Sequence, residues 1–122
     1  MTASLQDRTH WLRTPEDVDA FLNDHPEGLI FKASYCHKSD VAWERIRPQL
    51  EERQDLHLGK MQVVENRAAS NRVEAVTGVR HESPQLLLMR GGQVVFHCDN
   101  WSITASALRA ALEKELAPSA AL

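Results

Sequence analysis

Apolar positions along this chain recur at two alternating periods. Val18, Phe21 and Leu22 share a face of a helix opened by Thr14-Pro15-Glu16-Asp17. That string combines a hydroxyl N-cap, a first-turn proline and acids at the positive end of the helix dipole. His25-Pro26-Glu27-Gly28 breaks the helix, and residues 29–33 read as a buried strand. From residue 40 to about 54 the spacing is helical again, with Val41, Ala42, Ile46 and Leu50 on one side. Pro48 is expected to kink or end that helix, because it removes a backbone donor. Residues 58–65 predict a second strand, with Met61, Val63 and Val64 as its apolar content. Asn66 can cap a third helix, in which Ala69, Val73 and Val76 share a face and Gly78 supplies the stop. Residues 85–89 and 94–98, joined through Arg90-Gly91-Gly92-Gln93, read as a β-hairpin. Ser102 is expected to open a last helix with Leu108, Ala111, Leu112 and Leu116 inward, and the tail from Ala117 is expected to fray.

The order is helix, strand, helix, strand, helix, hairpin, helix, with Trp11-Leu12 a possible edge strand. This predicts an α/β protein: one mixed sheet with helices on both faces, a three-layer sandwich. At 122 residues the chain is read as one domain, 1–122, with its core over about 14–116. Hydrophobic residues at 43% and charged residues at 25% are ordinary for a globular domain and argue against disorder. A net charge of −3 gives no electrostatic case for nucleic acid. No apolar run reaches the length of a membrane span, and Met1-Thr2-Ala3-Ser4 does not read as a signal peptide. With Cys36 and Cys98 as its two cysteines, the chain implies no disulfide scaffold, and a cytoplasmic location is expected.

Cys36 stands where a strand hands over to a helix N-terminus. Unpaired backbone N–H groups and the helix dipole there favour thiolate, the nucleophilic form. The local string is Ser34-Tyr35-Cys36-His37-Lys38-Ser39. Ser39 occupies the position of an adjacent resolving thiol, so oxidation should give a mixed disulfide instead of an internal one. Ser39 can cap an early amide or hydrogen-bond the sulfur. His37 either stabilises the thiolate as imidazolium or is an exposed histidine without consequence; Lys38 reads as solvated. A free cysteine can also be just a small buried hydrophobe. The six histidines are scattered along the chain, with no His-x-His, His-x-x-x-His or Cys-x-x-Cys pair, so no metal site is expected.

The chain resembles the monothiol bacilliredoxin family (the bacillithiol-system redox-active, YtxJ-like proteins), a branch of the thioredoxin-like superfamily. The likeness rests on Ile30-Phe31-Lys32, on the Cys36 string, and above all on Gly78-Val79-Arg80-His81-Glu82-Ser83-Pro84-Gln85. It closes with His97 and with Ile103-Thr104. His37 stands where the family usually carries proline, and Ala33 where it usually carries histidine. The resemblance implies a thioredoxin-like fold in which Ser83-Pro84 is cis and faces Cys36, although X–Pro bonds are cis in only ~5–6% of cases. The Ser83 backbone would then pair with an extended substrate, with His81 and Glu82 bordering the site. Asp99, Asn100 and Trp101 lie where related proteins hold the acidic end of glutathione, so the malate of bacillithiol could sit there, on the N–H groups opening the final helix. A hydrophobic plug is the other reading of Trp101. Cys98 reads as a packed strand thiol, two strands from Cys36 and at the outer limit for a disulfide.

The implied activity is monothiol thiol–disulfide exchange. Cys36 would remove bacillithiol, or a similar low-molecular-weight thiol, from client proteins. That thiol is a co-substrate, and no permanently bound cofactor is expected. Two other classes stay open: an adaptor module with an inert Cys36, and a redox sensor cycling through sulfenic acid or a Cys36–Cys98 bond.

Overall fold

The computed structural model describes residues 3–117; the tail expected to fray lies, beyond Ala117, outside them. Five strands form one mixed sheet in the order β1-β3-β2-β4-β5: β1 (Thr9–Trp11), β2 (Leu29–Ala33), β3 (Leu58–Gln62), β4 (Gln85–Arg90) and β5 (Gln93–Asp99). The strands β1, β3 and β2 are mutually parallel, while β4 is antiparallel to β2 and β5 antiparallel to β4. It follows that β5 runs parallel to β2, and both end at the same edge. The edge strand expected at Trp11-Leu12 is present as β1, one to two residues earlier.

Four α-helices flank the sheet: α1 (Pro15–Asp24), α2 (His37–Glu52), α3 (Arg67–Thr77) and α4 (Ala105–Glu115). One core layer packs Leu29, Phe31, Leu86 and Leu88 against Ile46 and Leu50 of α2 and Leu108 and Leu112 of α4. The other packs Ile30, Met61, Leu87 and Met89 against Val18 and Phe21 of α1 and Val73 of α3. The two layers take alternate residues of each strand, as a pleated sheet covered on both faces requires.

Local signals set most boundaries. Thr14 and Asp17 form a reciprocal capping box at α1. Gly78 ends α3 at a φ of 73°, and Gly91 and Gly92 turn the hairpin at φ of 61° and 80°. Both turn residues thus lie in the left-handed region that two-residue hairpins need.

Four expectations are corrected. Pro48 neither ends nor splits α2, which runs on to Glu52. Pro48 and Glu44 are both solvent-exposed, so water can take the carbonyl that proline leaves unbonded. The strand predicted to Glu65 stops at Gln62, and Val64 is 54% exposed in the turn that follows. Asn66 precedes α3, but its side chain donates to the Gln62 carbonyl and caps no amide. Ser102 does not open the last helix: Asn100–Ser102 is a separate 3₁₀ turn, and Thr104 caps α4 by accepting from Ala107 N–H.

Candidate active site

Cys36 is the N-cap residue of α2, three residues beyond the end of β2, and it is exposed. Its extended backbone lets the first turn begin at His37, so the sulfur lies beside amides that have no helical acceptor. Ser34 Oγ donates to Cys36 Sγ at 3.2 Å, and Ser39 Oγ lies 3.6 Å from it. Ser39 is itself buried and held in place by accepting from Ser34 N–H at 3.0 Å. These contacts lower the thiol pKa to about 7. The Ser34 hydroxyl contributes most, then the Ser39 hydroxyl, with the Ser39 and Lys38 backbone N–H groups adding to them. The imidazolium of His37 is not among the causes, and its ring is exposed.

Strand register carries the second half of the site to the same edge. Gln85 pairs with Lys32 on one side and Asp99 on the other, so the residues before Gln85 run alongside the end of β2. There the Ser83–Pro84 peptide is cis. Asn100 adopts a positive φ of 51°, and its N–H donates to the Pro84 carbonyl. The Asn100 side chain then joins three groups. Lys38 Nζ donates to its Oδ1 at 3.0 Å, while its Nδ2 donates to Asp99 at 3.2 Å and to Glu82 at 3.4 Å. Lys38, expected to be solvated, is therefore tied across the cleft from α2 to the β5 end. His81 has partners of its own: its N–H donates to Glu74 and its ring bonds Ser70 Oγ.

Trp101 is 55% exposed, which removes the reading of it as a hydrophobic plug. Its ring instead receives the Arg45 guanidinium at 5.8 Å, and Arg45 also donates to the Trp101 and Ile103 carbonyls. At the α4 N-terminus, named as an anion seat, Thr104 accepts from one amide, that of Ala107. Cys98 is half-buried, and burial, then the Asp99 charge, pushes its thiol up to about 11.

Several participants carried no assigned role in the sequence reading. Ser34 is the main thiol-tuning residue, and its one signal was a hydroxyl two residues before the cysteine. Lys32, inside the quoted Ile30-Phe31-Lys32 string, is fully buried, and its ammonium finds no hydrogen-bond partner among the described residues. Desolvation lowers its pKa to about 8. On the β3 side of Cys36, a cleft of about 480 Å³ is walled by Tyr35, Ser39, Trp43, Lys60 and Glu65. The Lys60 ammonium sits 3.5 Å from the Trp43 ring centroid, and the Tyr35 hydroxyl donates to Glu65. Among the described residues no helix is long and apolar enough to cross a membrane.

Comparison with known proteins follows the geometry. Residues 10–108 match the family model described as "Monothiol bacilliredoxin BrxC". The chain belongs to the monothiol bacilliredoxin family. Its fold is shared with a structure provisionally described as an oxidoreductase with a thioredoxin fold, at 26% identity and a TM-score of 0.79. That alignment covers 88% of this chain and 96% of the other. A mutant thioredoxin from Halobacterium salinarum NRC-1 is 25% identical with a TM-score of 0.68, over 94% of this chain and 96% of its own. Mitochondrial thioredoxin 3 from Saccharomyces cerevisiae, at 13% identity and a TM-score of 0.71, covers 91% and 99% respectively, and shares the fold. Family and fold together are those of thiol–disulfide oxidoreductases.

Proposed function

We propose that this bacilliredoxin-family protein removes bacillithiol, or a similar low-molecular-weight thiol, from mixed disulfides on client proteins in the cytoplasm. The observation that carries the reading is Cys36 itself: an exposed sulfur at a helix N-terminus, held between two hydroxyls, with serine where a resolving thiol would stand. At neutral pH about half of it is thiolate, which balances abundance against nucleophilicity.

The Cys36 thiolate attacks the bacillithiol sulfur of the client disulfide. The new S–S bond forms as the old one breaks, and the client cysteine leaves as thiolate and takes a proton from water. Cys36 now carries the bacillithiol. A second small thiolate attacks that bacillithiol sulfur, releases the two small thiols as their disulfide and restores the Cys36 thiolate. Backbone groups of Ser83 line up the client segment beside Pro84. Lys38 and the Trp101–Arg45 pair supply cationic and aromatic surface for the malate of bacillithiol, while Glu82 and Asp99 hold Asn100 in place.

The test is intact mass after incubation with oxidised bacillithiol, followed by transfer from a bacillithiolated client. One bacillithiol should be gained on Cys36, and the client should lose its own. A Cys36 that takes no adduct across pH 6–9 would leave the chain as an adaptor module.

A further inference from the structure

The six histidines are scattered in sequence, but the fold brings three of them together. We propose that His10, His25 and His57 form a binding site for a borderline divalent transition-metal ion such as Zn²⁺, at the sheet end opposite Cys36. One ring nitrogen from each lies within 4.8 Å of the others. His10 is the middle residue of β1, paired with Gly59; His57 directly precedes β3; His25 is the C-cap of α1. Backbone bonds fix two of these positions, since Leu29 N–H donates to the His57 carbonyl and His25 N–H to that of Phe21.

The geometry is close to a ligand set. His10 Nε2 and His57 Nδ1 are 2.8 Å apart and share one proton. In tetrahedral coordination with Zn–N of ~2.0–2.1 Å, two ligand nitrogens stand about 3.3 Å apart. A metal takes the place of that proton, which passes to the other nitrogen of its own ring as a change of tautomer, and the pair opens by about half an ångström. His25 stacks on His57 at 3.9 Å and 15°, and its ring has only to turn about its side-chain bonds to present a nitrogen. The buried Phe21 ring tilts against both His10 and His25 at 5.4 and 5.3 Å and walls the group on one side.

Charge and chemistry point the same way. Asp24 lines the two clefts, of about 220 and 260 Å³, that flank the histidines, and it places a negative charge beside them. Asp55 lines one of them. The nearby cation, Arg8, is already engaged by the carbonyls of Leu50, Arg53 and Leu56. Burial first, then the neighbouring imidazoles, lowers the pKa of His10 and of His57, which leaves ring nitrogens in the neutral, ligating form. A set of three imidazole nitrogens selects zinc, cobalt, nickel or copper over magnesium or calcium.

The experiment uses tag-free full-length protein carrying Cys36→Ser and Cys98→Ser, so that no thiolate competes. Zn²⁺ is titrated by calorimetry, Co²⁺ by its visible absorption, and the histidine ring resonances are followed by NMR. The expected result is one ion per chain, with the rings of His10, His25 and His57 shifted and those of His37, His81 and His97 unmoved. His57→Gln and His25→Gln should each weaken binding at least about tenfold, the lower bound known for groups one shell further out. Should a variant fail to fold, the ring resonances decide alone. Absence of saturable uptake would leave the cluster as stacked rings and overturn the proposal. So would uptake that moves the other histidines, or binding insensitive to both substitutions.

Discussion

Two serines do most of the work of making Cys36 reactive, and they can be removed one at a time. Ser34→Ala should move the pH midpoint of Cys36 alkylation from about 7 towards the free-cysteine value of ~8.5, with little effect on folding, because Ser34 Oγ makes its main bond to the sulfur. Ser39→Ala should move it less but cost about 0.5–1.5 kcal/mol of stability, since the half-buried Ser34 amide then loses its acceptor. A midpoint that stays put in both variants would assign the tuning to the helix amides instead. The sequence showed the thiol, its helix-start position and the serine at 39. It could not show that Ser34 outranks His37, because that depends on which side chain turns back towards the sulfur. The second cysteine is decided by register. Cys98 pairs with Leu86 and Leu86 with Phe31, so Cys98 lies two strands across and level with a residue well before Cys36. Two strand spacings are ~10 Å, beyond the ~4.4–6.8 Å between bonded cysteine Cα atoms. Cys98→Ser should therefore retain most exchange activity and Cys36→Ser abolish it, with oxidation of the wild type adding one small thiol. An internal disulfide, seen as a loss of two hydrogens, would make Cys98 the resolving partner.

At the scale of elements, close approach sets what the sheet tolerates. A Cβ on Gly59 of β3 would lie 2.8 Å from Leu12 Cδ1 and 3.2 Å from the Phe21 ring. Gly59→Val should thus destabilise by about 1–3 kcal/mol through overpacking, read as a lower urea midpoint at unchanged slope. An unchanged midpoint would mean that α1 can shift off the sheet freely. The helices and strands with strong local chemistry were legible: the Thr14–Asp17 box, the Gly78 stop and the Gly91-Gly92 turn each announce themselves within four residues. Boundaries set by tertiary context were not. Ser102 and Thr104 offer the same hydroxyl, and only the 3₁₀ turn at Asn100 decides that Thr104 takes the cap. Likewise Pro48 is tolerated because of the side of α2 it occupies, which a breaker rule does not consider.

Across the whole molecule, the buried Lys32 makes stability depend on pH. Its folded pKa is lowered to about 8 from an ordinary value of 10.5, so between those limits the unfolded chain binds more protons and stability rises with pH. Cys98, raised to about 11, acts in the opposite sense over part of that range. The difference between wild type and Lys32→Met isolates the lysine. The wild type should gain on the variant between pH 8 and 10, and a constant gap would show that Lys32 is solvated. The overall architecture was readable because alternating periods specify a covered mixed sheet. The meeting of His10, His25 and His57 was not, since parallel crossovers bring together residues that share no local pattern. Those same crossovers set the thiol and the histidines at opposite ends of strands five residues long, roughly 16 Å at ~3.3 Å per residue. Substitutions that distant and without shared partners contribute independently. The free-energy effects of Ser34→Ala and His57→Gln should accordingly sum in the double variant, giving a coupling energy of zero within error.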